Sequence, residues 1–65
     1  MTKITLAAAR VNAGYSQKEV AGILKVAVST VRNWEYGKTF PKQPMIEKMC
    51  TLYKVPYDGI AFRTI

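Results

Sequence analysis

The side chains able to do chemistry in this chain are few, and their types narrow what they can do. Histidine is absent, cysteine occurs once, at Cys50, and four acidic residues are scattered among ten lysines and arginines. Nucleophilic, acid-base and metal chemistry each need a converging set of such groups, and no phosphate-cradling glycine loop is present either. The chain is therefore not expected to be an enzyme or to hold a metal, a cofactor or a small-molecule ligand. What remains are hydrogen-bonding and cationic side chains, among them Ser29, Arg32 and Asn33 and the loop lysines Lys38 and Lys42. Asparagine can pair with adenine through two hydrogen bonds and arginine with guanine, while lysine can sit against a phosphate. The chemistry on offer is recognition.

The overall charge points the same way. A formal charge of +6 and a pI near 9.8 on 65 residues imply a positive potential over much of the surface. Nucleic acid is the first partner that such a field suits and an anionic membrane the second, with a lysine surface kept for solubility as the plain alternative. The longest apolar run falls far short of the roughly 20 residues that span a bilayer, and Met1 is not followed by a secretory leader pattern. These features lead us to expect a soluble, cytoplasmic protein forming a single domain over residues 1–65, with no membrane partner. One cysteine allows no disulfide framework, so the core must be small and helical, or helped by a partner.

Positioning those polar groups requires short helices. Residues 3–13 place Leu6, Ala9 and Ala13 on one stripe, with Arg10 on the same side, and Gly14 can end that helix in a left-handed conformation. A charge on a core-facing stripe needs a carboxylate or a route to solvent along its aliphatic stem. Ser16, Gln17, Lys18 and Glu19 spell a capping box, which starts a second helix at Gln17 with Val20, Ala21 and Leu24 facing inward. Lys25 and Val26 turn the chain. A third helix from Val28 to Tyr36 packs through Val31 and Trp34, leaves Val28, Ser29, Arg32 and Asn33 outside, and ends at Gly37. Glu35, beside Trp34, is the natural partner for Arg10. A basic loop from Lys38 to Gln43 leads to a fourth helix near Pro44–Tyr53, where Met49 and Cys50 are core filler. Pro56 to Phe62 suggest a fifth, short helix weakened by Gly59.

The runs LAAARVNAGYSQKEVAGIL and VAVSTVRNWEYGK, Pro41 four residues after Gly37, and the ending IEKMCTLYKVPYDGI together resemble the lambda-repressor and Cro-like (XRE-type) helix-turn-helix family over residues 6–61. The resemblance implies an all-α, compact five-helix fold in which helices 2 and 3 form the helix-turn-helix. It implies a sequence-specific regulator, repressor or Cro-like, from a bacterium or phage, bound to a double-stranded DNA operator as a homodimer. Arg10 and Glu35 then form a structural ion pair. Val28, Ser29 and Asn33, with Thr30 and Arg32, become base-reading residues, and Gln17, Lys18, Lys38, Lys42 and Gln43 backbone contacts. By its own chemistry Asn33 suits adenine, Arg32 suits guanine or a phosphate, Val28 meets only a thymine methyl, and Ser29 tolerates several bases.

Three positions depart from the family pattern. Lys25 and Lys54 stand where a glycine usually ends a helix, which implies left-handed strain of roughly 1 kcal/mol at each or a different turn. Ala27 stands where a serine or threonine caps the recognition helix, a loss typically near 1 kcal/mol. A different class of function is a protein-interaction module on the same fold, of the antitoxin or antirepressor type. Tyr57, Ile60, Phe62 and Ile65 could form a dimer patch or close the core, with Ile60 favoured for the core. The length suits a complete Cro-sized protein or the head of a longer repressor.

Overall fold

The computed structural model describes residues 3–62. In chain order the elements are β1 (Ile4–Thr5), α1 (Leu6–Asn12), α2 (Gln17–Leu24), α3 (Val28–Tyr36), α4 (Gln43–Tyr53), a single 3-10 turn (Tyr57–Gly59) and β2 (Ile60–Ala61). The expected first helix over 3–13 starts later, because Thr5 takes an extended conformation and caps it. The Thr5 hydroxyl accepts from the Ala8 amide at 3.1 Å.

The expected fifth helix does not form. After Pro56 the chain makes one tight turn, in which the Gly59 amide donates to the Pro56 carbonyl at 2.9 Å. Ile60 then extends at φ −105, ψ 128 and pairs in parallel with Ile4, as Ala61 does with Thr5. A helix at 56–62 would forfeit that pairing, and Gly59 gives it little support. Among the described residues there are therefore four α-helices, and a two-stranded parallel clasp between the first and last described elements qualifies the all-α reading. Ile60 reaches the core at 3% exposure all the same. Phe62 packs partly buried against that core, Tyr57 is exposed with its ring 6.3 Å from that of Phe62, and Ile65 lies outside the described residues.

α2 and α3 meet through Val20 and Val31, both fully buried, with small Ala21 admitting close approach and Trp34 covering the joint. Met49 and Tyr53 of α4 and Leu6 and Ala9 of α1 complete the same cluster. Burial pushes the Cys50 thiol up from its ordinary range, with Glu47 adding to the effect, as suits a half-buried packing residue.

All four helices end alike. The amides of Tyr15, Val26, Lys38 and Val55 donate to the carbonyls of Arg10, Ala21, Asn33 and Cys50 at 3.0 to 3.2 Å. Each of these bonds wraps around a residue at positive φ: Gly14, Lys25, Gly37 and Lys54. This is the Schellman arrangement, which satisfies carbonyls that a helix end leaves without partners. Two of the four sites thus carry a lysine where the geometry favours glycine.

Candidate nucleic-acid interface

Three residues, Lys25 to Ala27, join α2 to α3. The start of α2 is built by the capping box: the Ser16 hydroxyl accepts from the Glu19 amide at 3.0 Å, and the Glu19 carboxylate accepts from the Ser16 amide at 2.9 Å. Those bonds hold the Glu19 carboxyl below its ordinary range, the backbone amide contributing most. The box serves two amides and leaves those of Gln17 and Lys18 facing out of the helix end. Lys18 itself is exposed.

α3 begins without a side-chain cap, since Ala27 has nothing to offer. Packing of Val31 and Trp34, not capping, sets its orientation. Two rows of side chains then face outward at helical spacing. Val28, Arg32 and Tyr36 form one row, all exposed; Ser29, exposed, and Asn33, half-buried, form the other. Thr30 is half-buried at the margin of this face, three residues into the helix.

Beneath the face lies a polar network. Arg10 Nε donates to Glu35 Oε2 at 2.7 Å and Nη2 to Oε1 at 3.4 Å, while Nη1 donates to the Tyr15 carbonyl at 2.8 Å. Gln17 Nε2 donates to Glu35 Oε1 at 3.0 Å. Side-chain exposures of 14% for Arg10 and 7% for Glu35 make this a largely desolvated pair, and its extra hydrogen bonds keep it from being an uncompensated buried charge. The network ties α1, α2 and α3 together and anchors the Gln17 side chain at the edge of the outward face.

Lys38 and Lys42 are exposed in the connection after α3. Gln43, expected in that loop, is the first residue of α4, with Lys42 as its N-cap and Pro44 in its first turn. Gln17, Glu35, Arg32, Tyr36 and Ala7 line a shared cleft of about 260 Å³ between α1, the start of α2 and α3. Lys18, Lys38, Lys42 and Gln43 stand outside that cleft. Sequence reasoning missed Tyr36 and Ala7. Tyr36, 52% exposed, could have been found from its spacing, four residues past Arg32 and eight past Val28.

Two helices at a tight turn, the second with an outward polar row and the first with its amino end beside it, define a helix-turn-helix DNA-binding domain. The helix-turn-helix family model matches residues 6–60, and the chain belongs to that family, of the lambda-repressor (XRE) type. A search of curated proteins returns no match. Membership points to a DNA-binding transcriptional regulator.

Proposed function

We infer that this chain is a sequence-specific regulator that lays α3 in the major groove of double-stranded DNA while α2 crosses the backbone. The observation that carries this reading is the pair of outward rows on α3, set beside the amino end of α2. Asn33 suits an adenine edge, Ser29 tolerates several bases, and Val28 can cover a thymine methyl. Thr30 stands at the edge of the reading face and takes a base or a neighbouring phosphate. Gln17 and Lys18 hold the backbone on one side of the groove, and Lys38, Lys42 and Gln43 hold it on the other. A reader this short contacts few base pairs, so a homodimer on a two-fold operator, with half-sites about one helical turn apart, is the expected working form. A phage or bacterial repressor, or a Cro-like protein working in the cytoplasm, fits this description.

Selection of bound duplexes from random DNA tests the reading. A recovered two-fold consensus supports it, and recovery of no preferred sequence sinks it. Asn33→Ala should relax the preference at one base pair per half-site, whereas Lys42→Ala should weaken all sequences alike. A second reading, a protein-interaction module on the same fold, is favoured by the apolar area that Val28 and Tyr36 place on the outward face at 38% and 52% exposure. It predicts that neither substitution alters binding to DNA.

A further inference from the structure

The cleft lined by Ala7, Gln17, Arg32, Glu35 and Tyr36 has an unbalanced hydrogen-bond inventory. Both Glu35 oxygens are engaged, Oε2 by Arg10 and Oε1 by Arg10 and Gln17. Arg32, three residues before Glu35 on the same helix, makes no ion pair or hydrogen bond among the described residues, so the donors of its guanidinium are unspent. Gln17 spends one Nε2 hydrogen on Glu35 and, among the described residues, keeps the other. Two arginines against one carboxylate leave a net positive charge around the cleft. The one carboxylate in the cleft is already paired with Arg10, so the charge of Arg32 is left without a local counter-charge and suits an anionic acceptor from outside.

We propose that Arg32 grips a DNA backbone phosphate seated in this cleft and does not read a base. The proposal rests on the reading of the chain as a DNA-binding regulator. In that docking α2 crosses the backbone, and the cleft is bordered by the start of α2 and by α1 as well as by α3, which sets it beside the phosphates. A small side chain at Ala7 leaves room for the phosphate. Base reading then rests on Val28, Ser29 and Asn33, with Thr30 at the margin, none of them charged, and no arginine is left on α3 to specify a guanine. The operator preference is set by Asn33 and Val28, which favour A·T pairs, with Ser29 adding little.

The test uses the full chain, its Arg32→Ala and Arg32→Lys variants, selection from random duplexes, and a salt titration of each on the selected site. Arg32 is exposed, so both variants should fold, which a thermal melt verifies. All three proteins should recover one consensus. Arg32→Ala should flatten the plot of log K against log salt by about 0.9, the share of one phosphate, while Arg32→Lys keeps the slope because a phosphate accepts a point charge. Loss of preference at a single base pair in Arg32→Ala, with the slope unchanged, overturns the proposal and leaves the regulator reading standing. If the wild type selects no sequence while Arg32→Ala still flattens the slope measured on a random duplex, the regulator reading falls and phosphate capture stands.

Discussion

Lys25 and Lys54 hold φ 59, ψ 46 and φ 57, ψ 44, a conformation in which the Cβ crowds the neighbouring carbonyl. Gly14 and Gly37 do the same job at φ 86 and 85 without that contact. Replacing either lysine by glycine should therefore raise stability in a denaturant melt by about 1 kcal/mol, less the entropy that glycine returns to the unfolded chain. Tyr53 makes a different case. Its hydroxyl is buried and has no hydrogen-bond partner among the described residues, and burial, with Glu35 adding and Arg10 opposing, pushes its phenol up to about 12. The unfolded chain gives up that proton first, near the ordinary value of 10, so the contribution to stability is full below pH 10 and is lost as pH rises toward 12. Tyr53→Phe should remove that alkaline decline, and at pH 7 should match or exceed the wild type by on the order of 1 kcal/mol. A Tyr53→Phe protein that melts earlier at pH 7 would show the hydroxyl to be satisfied.

Among the elements, α2 carries an avoidable weakness. Gly22 sits inside it at ordinary helical angles, and a Cβ added there would meet nothing within 4 Å. Gly22→Ala should stabilise the fold by 0.5 to about 1 kcal/mol without moving the interface, as read from a thermal melt and unchanged affinity for DNA. The elements that sequence made legible were those whose ends carry their own chemistry. The capping box at Ser16 and the glycine after Tyr36 marked α2 and α3, and the Arg10 and Glu35 pair followed from two charges on inward stripes. The strained lysines and the uncapped Ala27 were legible as departures from a pattern. The chain ends were not. Ile60 and Ala61 have no periodicity of their own, and their extended state comes from Ile4 and Thr5, at the other end of the sequence. The cleft at Arg32 was hidden for the same reason, since it joins residues of three helices.

For the whole molecule, +6 on so small a surface makes affinity for any duplex steeply dependent on salt. On a selected operator, log K should fall linearly with log salt at about 0.9 per phosphate contacted, and on unrelated DNA it should fall from a lower starting value. A slope near zero would mean that the charge serves solubility alone. The clasp of β1 and β2 has a consequence for how the fold is reached. The joint between α2 and α3 closes over three residues, a local contact that a helical chain makes quickly. Pairing Ile4 with Ile60 instead closes a loop of nearly the full chain, whose entropy must be met before the bonds form. The clasp should be the last contact made and the first released, with the amides of 4, 5, 60 and 61 exchanging ahead of those in the helices. On the ribosome, the four described helices can be in place before Ile60 and Ala61, which pair with Ile4 and Thr5, have left the exit tunnel.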